Sequence, residues 1–202
     1  MGRERRRVAG VVLAAGSSTR MGRNKLLFDL EGEPLVRRAV RCAAEGGLDP
    51  VMVVVGHEAD RVQRALDGVE YRSVLNPDHE RGINDSLRKG VAALPGEVDA
   101  VMVVLADMPL VTAAMIAAMV ERYRTGTAPL VISEYDGVNA PPMLYDRTLF
   151  AELATTEAKG CGRHVVRRHQ EEADTVHWPG EALTDLDVPA DYDRVRALLG
   201  GS

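Results

Sequence analysis

The stretch VAGVVLAAGSSTRMGRNKLL, residues 8–27, decides what the rest of the chain must build. Val11-Val12-Leu13 is an unbroken apolar run, the pattern of a parallel strand buried on both faces rather than of an alternating surface strand. The run breaks into Ala14-Ala15-Gly16-Ser17-Ser18-Thr19-Arg20-Met21-Gly22-Arg23-Asn24-Lys25. Small side chains there permit a sharp turn and let a ligand approach the backbone amides. Arg20 and Lys25 add fixed positive charge, which suits a polyphosphate. Spacing excludes two familiar phosphate loops. A P-loop needs Gly, four residues and then Gly-Lys-Ser/Thr, whereas Gly16 and Gly22 are six apart and the lysine follows three later. The dinucleotide fingerprint fails because Gly16 is followed by Ser17-Ser18.

Composition sets the frame around that stretch. A chain of 202 residues, 46% hydrophobic and 27% charged, fits one soluble globular domain with a sizeable core, so a single domain over residues 1–202 is expected. Arg3, Arg5, Arg6 and Arg7 form a basic cluster, and residues 1–7 read as a flexible tail. The net charge of -5 argues against a nucleic-acid binder. No run approaches a membrane span and no signal peptide is visible. Cys42 and Cys161 are too few for a disulfide framework, and a cytoplasmic location is expected.

Along the chain, strands and amphipathic helices alternate. Pro34 opens a helix with Leu35, Val36, Ala39, Val40 and Ala43 on one face, ending near Gly46-Gly47. Residues 51–55 read as a second buried strand, 58–67 as a short helix, and 71–75 as a third strand ending in Asn76-Pro77. Residues 82–94 place Ile83, Leu87, Val91 and Leu94 on one helical face, with a polar first turn suited to offering amides to an anion. Residues 100–106 are the most apolar run and read as the central strand. Thr112 then caps a helix bearing Met115, Ile116, Met119, Val120 and Tyr123. The alternation predicts a three-layer α/β fold with a mostly parallel sheet. The last third reads as strands at 130–133 and 175–178, an extended piece at 142–145, and helices at 147–154, 163–170 and 189–199. Together these are expected to form an insertion over the sheet's carboxyl edge.

Two carboxylate elements stand out. Asp107 ends the central strand abruptly, at the edge where open α/β sheets bind ligands. Asp185 and Asp187 are two apart, so in an extended segment both carboxylates face one way and repel unless a cation relieves them. None of the histidines at 57, 79, 164, 169 and 177 shows metal-ligand spacing. His57, just past a strand end, could touch a ligand, although a lone histidine in a loop is more often structural or solvated.

Residues 13–25 resemble the nucleotidyltransferase signature L-A-A-G-x-S-x-R-M-G-x-N-K. Ala106-Asp107-Met108-Pro109 is similar to the G-D-M-P element of that superfamily, and Asp185-Leu186-Asp187-Val188-Pro189 to its D-I-D-T-P element. With Asn76-Pro77, Ser86-Leu87-Arg88, Gly90, Tyr135-Asp136-Gly137 and Gly162-Arg163, these motifs resemble the molybdenum cofactor nucleotidyltransferases (MocA/MobA-like). The cytidylyltransferase branch is the nearer one, because Ala15 stands where GTP-using relatives have a second glycine. The resemblance implies a Rossmann-like, glycosyltransferase-A-like nucleotidyltransferase fold. It implies nucleotide binding by Leu13, Ala14, Ala15, Gly16, Arg20, Lys25, Asn76 and Ser86. Asp107 and Asp187 would hold Mg²⁺, and Lys25, Arg20 and Asp107 would be the catalytic set.

The implied reaction is attack by the terminal phosphate of molybdopterin on the α-phosphorus of CTP, with release of pyrophosphate and, in the cell, transient contact with a molybdenum hydroxylase or its chaperone. The sequence departs from the family at Asn84-Asp85, at Asn139-Ala140-Pro141-Pro142 and at Lys159, on the side expected to hold the pterin. A sugar phosphate as acceptor, or a non-catalytic cofactor carrier, are the alternative readings.

Overall fold

In the computed structural model, residues 6–17, 23–155, 160–184, 191–192 and 194–196 are described. Arg20, Lys159, Asp185, Asp187 and Val188-Pro189 lie outside them, as does most of the helix expected at 189–199.

The run that opens the chain forms β1 (Val8–Ala14), buried along its whole length. Its neighbours are β4 (Val51–Val55) and β6 (Ala100–Leu105), both parallel to it, with Val12 beside Val53 and Val104. Outside β4 lies β5 (Arg72–Leu75), again parallel. On the other side the order continues through β8 (Val138–Asp146), β7 (Leu130–Tyr135) and β9 (Asp174–Trp178). The sheet therefore runs β5-β4-β1-β6-β8-β7-β9, with β6 in the middle and β8 its one antiparallel member. Two residue pairs, β2 (Asp29–Leu30) and β3 (Glu33–Pro34), make a separate small ladder.

Because side chains alternate across a strand, each face of the sheet gathers its own core. Val12, Val53, Met102 and Val104 pack against α1 (Leu35–Glu45) and α4 (Ala113–Thr125). Val11, Leu13, Val54, Val103 and Met143 pack on the other face, under α3 (Ile83–Ala92), α5 (Phe150–Thr155) and α6 (Arg163–His169). A short α2 (Ala59–Ala65) connects β4 to β5. The three-layer, mostly parallel α/β architecture is thus the observed one. Thr112 caps α4 as expected, its Oγ1 accepting from the Met115 amide at 3.2 Å.

The last third differs from expectation. Residues 138–146 form a nine-residue strand inside the sheet, not a short extended piece in an insertion above it. Asp136 and Gly137, at φ 46° and 86°, make the two-residue turn that folds β7 back onto β8. Positive φ at both centres is what a tight hairpin requires, and Asp-Gly provides it at low cost. The tail also differs. Arg6 donates to Asp146 at 3.0 Å and to the Tyr123 hydroxyl at 2.9 Å, while Arg7 pairs with Asp49 and Glu97. Residues 6–7 are docked; residues 1–5 lie outside the described set.

Helix α3 touches the sheet through Gly90. A Cβ there would stand 2.6 Å from Val11 Cγ1 and 2.9 Å from Val54 Cγ2. Alanine gains about 1 kcal/mol over glycine in a helix, but forcing a methyl into packed core costs about 1–3 kcal/mol. Gly90→Ala is therefore expected to lower stability in urea unfolding, with an unchanged m-value.

Candidate functional site

In a parallel strand the backbone polar groups are paired, and beyond its carboxyl end they are released. Three adjacent strands end together here. Past β1 come Ala15, Gly16 and Ser17; past β4 come Gly56 and His57; past β6 come Ala106 and Asp107. The ladder reaches slightly beyond the strands, since Ala106 N donates to Leu13 O at 3.2 Å and His57 N to Ala15 O at 3.3 Å. These bonds fix the height of all three ends relative to one another.

Leu13, Ala14 and Ala15 are buried, and Gly16 after them is exposed. A Cβ at Gly16 would meet no heavy atom within 4 Å, so the loop faces open space there. Leu13 and Ala14 turn their side chains into opposite cores, which leaves their backbone for any ligand contact. After residue 22 the chain re-enters through a one-turn helix, Lys25–Leu27, capped by the buried Asn24, whose Oδ1 accepts from Leu26 N at 3.2 Å. Asparagine suits that position because its carbonyl replaces a missing intrahelical acceptor.

That cap aims Lys25 back across the sheet edge. Its Nζ lies 2.7 Å from Asp107 Oδ2, with 13% of the lysine side chain and 26% of the aspartate exposed. Asp107 sits in a turn closed by the Met108 amide on Leu105 O at 3.4 Å. The two residues that the sequence assigns to phosphate and to metal are thus in direct contact, half-buried, at the carboxyl end of the central strand.

Asn76 and Ser86 are brought together but not toward open space. Asn76 is fully buried; its Nδ2 donates to Ser86 Oγ at 2.9 Å, and its Oδ1 accepts from Asp78 N at 3.0 Å. Its own amide donates to Val55 O at 2.7 Å. Their side chains brace the turn after β5 rather than line a cavity. The first turn of α3, expected to offer amides to an anion, already holds an internal one. Asp85 is buried there and ion-paired with Arg88, so its charge is compensated within the helix. Because β8 runs opposite to its neighbours, Asn139 and Pro141 lie at the same carboxyl edge as Asp107; the Tyr135 hydroxyl donates to Pro141 O at 2.9 Å.

Cys161, which the sequence reading left unused, also belongs here. Burial pushes its thiol up to about 12, and the negative charge of Asp107 adds to that rise while Arg163 opposes it. A thiol so raised is protonated near neutral pH and is no nucleophile. Cys161 packs against the core cluster that contains Met143 and Tyr145 of β8. A divalent metal would find in Asp107 one hard oxygen donor. Among the described residues no group of three or more His, Cys, Asp or Glu is arranged to hold a metal. Nor is any described helix long and apolar enough to cross a membrane.

Comparison with known proteins places the geometry. A family model described as the MobA-like NTP transferase domain matches residues 10–173. The purine catabolism protein PucB of Bacillus subtilis is 28% identical over 204 residues, covering 94% of this chain and 96% of PucB. The bifunctional protein GlmU of Geotalea uraniireducens is 30% identical over 131 residues, 64% of this chain; the match spans only 29% of that longer protein. Among solved structures, Rv0371c of Mycobacterium tuberculosis H37Rv superposes with a TM-score of 0.84 at 25% identity, over 94% of this chain and 97% of that one. The same protein has been solved as a complex with manganese, which superposes at 0.80 and 24% identity over the same shares of the two chains.

Two measurements probe this framework. Asn76→Ala leaves Ser86 Oγ and the Asp78 amide without their partner, and a stability loss of about 1–3 kcal/mol in chemical unfolding is expected. Burial also raises the Cys42 thiol, despite the opposing charges of Arg41 and Arg38. Neither cysteine should therefore react with a thiol reagent in the native protein at pH 7, and both should react after unfolding.

Proposed function

The chain belongs to the MobA-like NTP transferase domain family, and from that premise we propose that it transfers CMP from CTP to the terminal phosphate of molybdopterin and releases pyrophosphate. The observation that carries the reading is the Lys25–Asp107 contact at 2.7 Å, beside the open loop position at Gly16. A cation and a carboxylate held half-buried where a strand releases its amides suit a ligand that is itself anionic and metal-bound.

The chemistry asks little acid–base work of the protein. A phosphate monoester is largely dianionic at neutral pH, its second pKa being about 6, so the nucleophile needs no base. What remains is to hold two anions together in line and to neutralise charge that builds on the leaving group. Lys25 is assigned to the leaving pyrophosphate, with Arg20 as its companion. Asp107 with Asp187 is assigned to Mg²⁺, an ion commonly held by one or two carboxylates together with substrate phosphates. Bound there, it would supply charge neutralisation at the reacting phosphates. The manganese complex of Rv0371c accords with a hard divalent ion.

The preference for CTP rests on Ala15. Its methyl packs toward Gly56, taking room at the end of β4 that a glycine would leave to a larger purine. A sugar phosphate as acceptor is the second reading. It is favoured by Asn139 and Pro141, which stand at the carboxyl edge where the pterin-handling relatives carry other residues.

A pyrophosphate-release screen separates these readings. With Mg²⁺ and purified molybdopterin, CTP should outpace GTP, ATP and UTP, and sugar phosphates should release little. Asp107→Asn should unfold like the parent yet lose at least about 100-fold in turnover, the size typical of a lost electrostatic group at a reacting centre. Turnover should also fall on the acid side near pH 6, as the acceptor phosphate takes up its second proton. Turnover of Asp107→Asn at the parental rate would remove the carboxylate from the reaction.

A further inference from the structure

His57 reads in the sequence as an isolated residue after a strand, but in the structure it is one of a pair. Its ring meets that of His79 edge to face, with centroids 5.9 Å apart and planes at 63°. His79 arrives from a different element, the one-turn helix His79–Arg81 that follows β5.

Several contacts hold the pair against the nucleotide loop. A Cβ at Gly56 would stand 2.6 Å from His79 Cβ and 2.9 Å from Ala15 Cβ. Glycine alone lets residues 79 and 15 close over the end of β4 in this way. The His57 amide donates to Ala15 O, so the second imidazole is tied to the same loop through the backbone. The turn that delivers His79 is locked from below by Asn76, which caps Asp78 N. It is locked from the side by Lys89, whose Nζ lies 3.3 Å from Asp78 Oδ2. Yet the His57 side chain remains 40% exposed, so burial does not account for the arrangement.

The position relative to the charged pair matters as much. Strands β4, β1 and β6 are consecutive in the sheet, and strands lie about 4.8 Å apart, so His57 and Asp107 project from edges roughly 10 Å from each other. Gly16 follows the strand between them, and a Cβ there would meet no heavy atom within 4 Å. Lys25 offers a phosphate-attracting cation at one end of that span, with Asp107 as a donor for a metal, while the half-exposed imidazole of His57 stands at the other. A nucleotide has this polarity: anionic at one end and a planar ring at the other.

We propose that the imidazole of His57, braced edge to face by His79, forms the platform on which the base of the bound nucleoside triphosphate rests. The inference depends on the NTP transferase reading and adds where the base goes and what holds it. Stacking is tolerant of base identity because every base presents a π-face. The platform therefore sets affinity and orientation, and the choice between pyrimidine and purine stays with the room at Ala15.

The test compares two probes on the intact protein, CTP with Mg²⁺ and inorganic tripolyphosphate with Mg²⁺, by calorimetric titration. His57→Ala, a change at an exposed ring, should weaken CTP binding about tenfold or more and leave tripolyphosphate binding unchanged. His57→Phe should recover most of the CTP affinity, since it keeps a planar ring and drops the nitrogens. In turnover, His57→Ala should raise KM for CTP more than it lowers kcat. Equal CTP affinity in His57→Ala overturns the proposal. So does equal weakening of both probes, which would make the histidine a phosphate contact, or failure of His57→Phe to recover. If the parent protein itself binds tripolyphosphate and no nucleoside triphosphate, the NTP transferase reading fails first, and the platform falls with it.

Discussion

Strand β1 is hydrogen-bonded to β4 along one edge and to β6 along the other, all in the same direction, and the site follows from that double pairing. Val55 ends β4 beside Ala14 and Leu105 ends β6 beside Leu13, so three carboxyl ends open at one place. Because both faces of β1 are covered by helices, the strand has no solvent-exposed side on which polar groups can sit. Polar function is thereby pushed to the strand's end. The bonds from Ala106 N to Leu13 O and from His57 N to Ala15 O carry the pairing just past the regular sheet. Lys25, Asp107 and the loop at Gly16 are consequences of where that ladder stops.

The polar groups behind this edge serve mainly to hold turns. Asn76 satisfies three bonding needs at once, linking β4, Asp78 and Ser86, and it does so without exposed surface. A buried amide with every group paired is stiff, since losing any one partner strands a polar atom away from water. Asp85, in the first turn of α3, differs: its carboxylate sits favourably against the helix dipole and is ion-paired with Arg88 rather than holding a turn. Among the described residues, Gly16, part of Lys25 and Asp107, and the ring of His57 are by contrast exposed.

Much of this frame was legible before any coordinates. Uninterrupted valine-rich runs mark the buried parallel strands, and the facial spacing of Leu87 and Val91, or of Met115 and Met119, marks the helices that cover them. Strand β8 was not legible as a strand, because Pro141 and Pro142 interrupt its first half and proline withholds a ladder donor. The Asp136-Gly137 turn was in plain view, and taken as a hairpin signal it would have joined 130–135 to 138–146. The site was legible residue by residue but not as a set of contacts. Lys25 and Asp107 each carry a local reason to matter, but nothing in their surroundings says that they touch. Asn76 and Ser86 were recognisable as important, but a motif does not reveal that their side chains bond to each other and are buried. His79 was missed because its partner His57 belongs to another strand end.

The sheet order also has a consequence for synthesis. Along the chain, β1, β4 and β5 precede β6, yet β6 supplies the second edge of β1, pairing Val8 with Ala100 and Leu13 with Leu105. A chain growing residue by residue therefore holds the buried strand β1 with one side bare until β6 has emerged. β6 in turn keeps a bare edge until the antiparallel β8 arrives. A half-made molecule of this kind presents an unprotected template for pairing with its neighbours, the hazard that a completed sheet removes. The architecture that sets the Gly16 loop between two paired strands of the finished sheet also leaves the growing chain with unpaired strand edges until its second half is made.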